Sequence, residues 1–410
     1  MYRTHLRFAL RLAVALAALC VVAPGHCAAQ AVSTILPATI TNGTLPPGTA
    51  CKITFHWKAA PTSVDRTIFL HFVDTRGQVA FQDDQGAPFG TQNWAGPVNY
   101  TETVVVPSDA ADGTYAVVAG LYGSKSGGGW VNYPLIAGPG VKPLDGNSYE
   151  IGSIVVDRAA AKPPLDSDGR ATLRLPGYHM TFDEEFKTLD VSTSGPNTRW
   201  TAHTPYNGDF GDAAFGNPGP DSPFAIVPEG LRIEAKKEGA KWRAGLLSSV
   251  DPKGQGFSQQ YGYFEMCAKF PKGPGTWPAF WMCSTRGISD HSKPSPEIDI
   301  VEQYGNAPNL LHTTVHFWGP GDRHIAAGQV SCVEDMSEDY HTYGLLWTRA
   351  NLIWYFDGIE MYRLPTPPAA NTPMYIMVNL ALGSGWPIDQ TPGPSDMLVK
   401  YVRVYAKGMH

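Results

Sequence analysis

Charge is scarce in this chain. Only 17% of its 410 residues are charged, and the balance is acidic, at a formal −6. A surface so poor in cations has no basic stripe with which to neutralise phosphates, which argues against nucleic acid and anionic membranes as partners. Cysteine is also sparse, with six residues and no C-x-x-C or clustered His/Cys spacing of the zinc-binding kind. Past residue 31 no apolar run reaches membrane-spanning length, and no convincing long helix period occurs. What the chain has instead is 43 glycines, 35 prolines and 11 tryptophans. That is the profile of a loop-rich globular protein, neither disordered nor coiled, and 410 residues allow two or three domains.

Residues 1–31 read as a secretory signal. Arg3, Arg7 and Arg11 precede the apolar run 12–22, and Ala29-Gln30-Ala31 offers an A-x-A cleavage site. The run is too short to cross a bilayer, so the expected location is secreted or periplasmic, without membrane insertion. Loss of the leader makes the acidic balance stronger and removes Cys20 and Cys27. Cys51, Cys267, Cys283 and Cys332 then remain in an oxidising compartment, where three pairings are open to them.

The rest of the pattern is all-β. Residues 32–157 carry short alternating runs at 52–57, 67–73, 99–106, 114–122 and 149–156, separated by turns such as Asp112-Gly113. The spacing predicts an immunoglobulin-like β-sandwich acting as an accessory module. Trp94 and Trp130 lie in its Gly-rich loops, either stacking on sugar rings or anchoring the loops by burial. Residues 158–177 are rich in Pro, Ala and charge and read as a linker. From 178 to 407 strands recur again, including 231–236, 261–270, 277–283, 313–318, 343–347, 352–356, 374–382 and 398–405. Two stacked sheets with one solvated face accommodate that number.

The chemistry concentrates in Glu297-Ile-Asp-Ile-Val-Glu302. The β-branched residues predict a strand, on which Glu297 and Asp299 share a face and Glu302 points to the other. One extra residue, a β-bulge near Ile300 and Val301, would bring Glu302 back onto the same face. Two glutamates on one groove suit glycoside hydrolysis: one attacks the anomeric carbon, the other protonates the leaving oxygen. Parity also places Trp277, Ala279, Trp281 and Cys283 on one face. If 261–270 and 277–283 form one hairpin and Glu265 shares the groove with Trp281, then Cys267 and Cys283 face the same way. A cross-strand disulfide fits that arrangement, and so do two free thiols.

Eight blocks occur in order: Tyr261-Gly-Tyr-Phe-Glu265, Gly275-Thr-Trp-Pro-Ala-Phe-Trp281, Glu297-Ile-Asp-Ile-Val-Glu302, His312-Thr-Thr-Val-His316, Tyr340-His-Thr-Tyr-Gly344, Trp354-Tyr-Phe-Asp-Gly358, Asn379-Leu-Ala-Leu-Gly383 and Tyr401-Val-Arg-Val-Tyr405. Over residues 178–406 the set resembles glycoside hydrolase family 16, in the style of bacterial laminarinases. The resemblance implies a concanavalin-like β-jelly-roll and retaining cleavage of β-linked polysaccharide. It assigns Glu297 as nucleophile, Asp299 as its electrostatic partner and Glu302 as acid/base, with Glu302 protonated while Glu297 is ionised. The six-residue spacing matches the bulged form of laminarinases, agarases and carrageenases rather than the shorter form of lichenases. Trp277, Trp281, His316, Trp386, Glu265 and Asn379 are the expected substrate-binding residues; Trp318 fits either the cleft or the core, and Trp347 the core. The loops 204–212 and 217–222 are expected to shape the cleft. Many members bind calcium through a carboxylate of the last strand; the matching residue here is Lys400, so no calcium and no other cofactor is expected. The expected substrate is a β-1,3-glucan or a bacterial exopolysaccharide. Transglycosylation and non-catalytic glycan binding are the alternatives on the same fold.

Overall fold

The computed structural model describes residues 32–408 except 42, 87–89, 125–128, 161–174, 207, 291, 293–294 and 320–322. The expected leader, and most of the expected linker, lie outside these residues. Among the described residues no helix is long and apolar enough to cross a membrane. The longer strands are numbered below in chain order.

The first module is a two-sheet sandwich. In one sheet β1 (Ala50–Ala59) pairs with β3 (Gly96–Val105) over ten rungs. The alternation of β1 turns Cys51, Ile53, Phe55 and Trp57 inward. In the other, β4 (Gly113–Ser124) lies between β2 (Thr67–Val73) and β5 (Ser148–Val156). Trp94 is buried in the core between them, as a loop anchor, whereas Trp130 is 72% exposed.

The second module is a jelly roll of two larger sheets. Its back sheet runs β18–β9–β14–β15–β16, formed by Ser395–Lys407 (β18), Gly262–Lys269 (β9), His341–Trp347 (β14), Asn351–Phe356 (β15) and Ile359–Pro365 (β16). Along the free edge of β18 lie β6 (Tyr178–Glu184) and β7 (Gly230–Glu238). The cleft sheet runs β8–β17–β10–β11–β12–β13, formed by Lys241–Ser248 (β8), Met374–Leu382 (β17), Thr276–Ser284 (β10), Ser295–Glu302 (β11), Leu310–Gly319 (β12) and Arg323–Cys332 (β13). All these pairs are antiparallel, so each strand puts alternate residues into the shared core. Phe264 and Met266 of β9 meet Phe280 and Met282 of β10 there, with Trp347 and Trp354 from the back sheet. Trp347 is thus core, as expected.

One expectation fails here. Strands β9 and β10 are not a hairpin: β9 pairs with β14 and β18, and β10 with β11 and β17. Residues 270–275 carry the chain from one sheet to the other. Alternation revealed which face each residue occupies but not which sheet. Phe264 and Met266 take the inner face of β9, so Glu265 and Cys267 turn to the outer face of the back sheet, while Cys283 lines the opposite face of the sandwich. Packed sheets stand about 10 Å apart, beyond the ~7 Å Cα separation a disulfide spans, and the two side chains point away from each other. None of Cys51, Cys267, Cys283 and Cys332 is joined in a disulfide. Glu265 is not a cleft residue either. Buried on the back sheet, its carboxylate accepts from Tyr263 Oη at 2.7 Å and Tyr401 Oη at 2.9 Å.

All four thiols should therefore react with an alkylating reagent in denaturant without reductant, as read by intact mass. A Cys267–Cys283 pair that reacts only after reduction would show that the two strands have been assigned to the wrong sheets.

Candidate active site

Strand β11 builds the site. Its rungs with β12 set Glu297 opposite His316, Asp299 opposite Thr314 and Glu302 opposite His312. The step from Asp299 to Glu302 is three positions where the partner strand takes two, from Thr314 to His312. That is the one-residue bulge expected from the sequence, and the register with β10 slips at the same place. Ile298, Ile300 and Val301 all reach the core, while Glu297, Asp299 and Glu302 line one cleft of about 650 Å³. A bulge leaves a ladder group unpaired. Here Trp354 Nε1 reaches through the core from the back sheet and donates to the Asp299 carbonyl at 2.9 Å.

Each glutamate is held by one oxygen. Oε2 of Glu297 accepts from Trp318 Nε1 at 3.0 Å and lies 3.6 Å from the Cys283 thiol. Oε1 of Glu302 accepts from Trp277 Nε1 at 2.9 Å and Tyr304 Oη at 3.4 Å. The other oxygen of each lines the cleft without a bonded partner among the described residues. Asp299, 3% exposed, has its Oδ2 3.0 Å from His316 Nε2, at ion-pair distance but without hydrogen-bond alignment. His316 Nδ1 meets His324 Nε2 at 2.7 Å, and the His324 ring stacks on Trp318 with centroids 3.9 Å apart.

Burial pushes all three carboxyls up. For Glu297 burial is the larger cause and the charge of Asp299 the next, and together they raise it to about 8. Burial and then the Glu302 charge raise Asp299; burial also raises Glu302, opposed by Trp277 and His316. The sequence expectation has Glu297 ionised and Glu302 protonated; in this structure burial raises both glutamates. Glu297 shares its face with Asp299, whose charge adds to burial in raising it, while His316 and the Trp318 hydrogen bond act the other way.

Of the expected binding residues, Trp277, Trp281, His316 and Asn379 line the cleft. Asn379 is fully buried, accepting from Trp281 Nε1 at 2.7 Å and donating to the Trp277 backbone carbonyl at 3.3 Å, so it holds the Trp281 indole and the Trp277 main chain. Trp386 is 45% exposed on the loop after β17 and lies outside the lining, although its neighbour Ser384 belongs to it. The loop 204–212 contributes Tyr206 and Phe210, as expected of a cleft-shaping loop. It sits tightly on the end of β17, with Asp212 N donating to the Leu382 carbonyl at 2.8 Å. At Gly383, whose φ is +102°, a side chain would collide with the Asp212 carboxylate. Sequence reading missed Tyr304 and His324 and left Trp318 open. Parity from His316 along β12 would have found Trp318, and the cross-strand pairing of Trp318 with His324 would have found the second.

Glu297, Asp299 and His316 hold one ligand atom each within 4.8 Å of one another, a trio that a divalent cation could also bridge. Lys400 packs its ammonium 4.1 Å above the Tyr340 ring.

The sequence model of glycosyl hydrolases family 16 matches residues 228–403. A β-glucanase of Rhodothermus marinus is 33% identical over 195 residues, which cover 43% of this chain and 67% of the relative. The chain belongs to glycosyl hydrolase family 16. Two further family relatives come from Rhizobium meliloti. The endo-1,3-1,4-β-glycanase EglC is 34% identical over 250 residues (55% of this chain, 51% of the relative), and ExsH, of the same description, is 31% identical over 286 residues (64% and 58%). The chain thus spans little more than half the length of these two relatives. A laminarinase catalytic domain from Thermotoga maritima aligns with a TM-score of 0.48 at 25% identity, covering 57% of this chain and 99% of that one.

Two predictions follow from the site's construction. An unfolded glutamate ionises near 4.5, whereas Glu297 in the cleft does so near 8. Between those values the folded state keeps a proton that the unfolded state has lost, so stability falls as pH rises through the window. Glu297→Gln removes this penalty, and its melting temperature should pull ahead of wild type progressively from pH 5 to pH 8; a pH-independent difference would refute the buried-carboxyl account. Trp354→Phe keeps the bulk but orphans the Asp299 carbonyl, and should lower unfolding free energy by about 1–3 kcal/mol in denaturant titration.

Proposed function

We propose that the chain is a secreted or periplasmic endo-β-glycanase that hydrolyses β-linked glucan with retention of configuration. The observation that carries this reading is the pair of glutamates, each tethered through one oxygen and open to the cleft through the other. Glu297 would attack the anomeric carbon with its free oxygen after losing its proton. Glu302 would deliver a proton to the leaving oxygen, then activate water to release the sugar. Asp299 and His316 adjust the charge beneath them: the carboxylate raises Glu297, and the imidazole lowers both glutamates. Trp277 and Trp318 offer ring faces to an extended chain of sugars, whose apolar faces stack on indoles, while buried Trp281 forms the cleft floor.

The open groove supports cleavage within a polymer rather than at its end. Two relatives are described as endo-1,3-1,4-β-glycanases, which favours a β-1,3- or mixed-linkage glucan, or an exopolysaccharide with such links. The reading requires no cofactor or metal, and the cation Lys400 at the family's calcium position is consistent with that. A sugar hydroxyl could replace water in the second step, giving transglycosylation through the same intermediate.

Glu297→Gln should abolish turnover of laminarin and mixed-linkage glucan while oligosaccharide binding persists, as measured by calorimetry. Proton NMR of the fresh wild-type digest should show the β-anomer first. Appreciable turnover by a clean Glu297→Gln preparation, or an initial α-anomer, would remove the retaining assignment.

A further inference from the structure

The N-terminal sandwich meets the jelly roll at strand β13, the outer strand of the cleft sheet. Among the described residues β13 pairs only with β12, so its other edge is open to be covered. The sandwich covers half of it. Gln329, Ser331 and Cys332 are buried, whereas Arg323 to Ala326 are exposed. Asp83 of the sandwich is 1% exposed, and its Oδ1 accepts from the Cys332 backbone N–H at 3.0 Å. Glu102 of β3 is 2% exposed, and its carboxylate accepts from the Gln329 side-chain amide. Val105 of β3 belongs to the jelly roll's own hydrophobic core, and Lys52 of β1 faces Glu360 of β16 at 3.7 Å.

Burying two acids is costly: burial raises both, and Asp83 Oδ2 has no hydrogen-bond partner among the described residues. A flexible tether between independent modules has no use for them. Their partners lie on the strand whose far end holds His324, which stacks on Trp318 and meets His316. Ten rungs tie β13 to β12, with Trp318 opposite His324 and Thr313 opposite Gln329. The register that places Trp318 against Glu297 is therefore shared with the seam.

We propose that the sandwich is a positioning element of the cleft: Asp83 and Glu102 hold β13 in register, and through it His316, Trp318 and the open oxygen of Glu297. The effect on rate rests on the glycanase reading above; the effect on the strands does not.

The test compares full-length Asp83→Ala/Glu102→Ala with Asp83→Asn/Glu102→Gln, which keeps both acceptor oxygens; Glu102→Ala alone serves if the double alanine variant does not fold. Hydrogen exchange by mass spectrometry reads the strands, and kcat and KM on a soluble glucan oligosaccharide read the site. In the alanine variant, exchange should rise about tenfold across residues 312–328 while 230–248 stays protected. Its kcat should fall about tenfold with KM changing less than twofold, because a small misplacement of reacting groups acts on rate. The Asn/Gln variant should retain wild-type exchange and kcat. Faster exchange confined to 329–332 with kcat intact would overturn the proposal, as would loss of kcat in both variants alike. If the wild type turns over no glucan, the glycanase reading fails and the exchange pattern still decides this one.

Discussion

A single slipped residue organises this molecule. Three carboxylates within six positions share a face only if the strand loses its two-residue alternation once, and β11 does so at Ile300 and Val301. The slip is stable because both residues are absorbed by the core and because Trp354 bonds the displaced carbonyl of Asp299. The core therefore does more than hold the sheets together. Its packing on one side of β11 fixes the spacing of acids on the other.

That spacing works against stability. Three carboxyls crowd one wall, Asp299 buried and the two glutamates half-buried, and every one of them is raised by its loss of solvent. What offsets the cost is a set of neutral donors rather than cations: the indoles of Trp277 and Trp318, the Tyr304 hydroxyl and the Cys283 thiol. Neutral donors leave the protons mobile, where an arginine would lock each glutamate in its ionised form. A site that must attack with one carboxylate and protonate with another needs that freedom. Among the described residues His316 is the one basic side chain lining this wall, with its Nε2 3.0 Å from Asp299 Oδ2.

Much of this was legible in the sequence, and the limits have physical causes. Alternation gave the strands of both modules, the faces of β9 and β10, and the need for a bulge. The eight ordered blocks gave the family and the carboxylate trio. Period-2 patterning does not say which strands are neighbours, so Cys267 and Glu265 were placed on the wrong side of the sandwich from Cys283. It is silent on ionisation, which depends on how deeply the fold buries each carboxyl and on donors from other strands such as Trp277 and Trp318. His324 was missed because its role comes from cross-strand pairing, which becomes visible only once β12 and β13 are aligned. The seam at Asp83 and Glu102 was out of reach for the same reason: both acids read as ordinary members of a sandwich, and only the fold shows what they touch.

The most direct test of the central claim is to trap the intermediate. A 2-fluoro glucosyl oligosaccharide with a good leaving group slows release of the covalent sugar, and peptide mapping by mass spectrometry locates it. The account predicts one adduct per chain, on Glu297, formed with first-order loss of activity. An adduct on Glu302, or inactivation without any covalent sugar on β11, would contradict it.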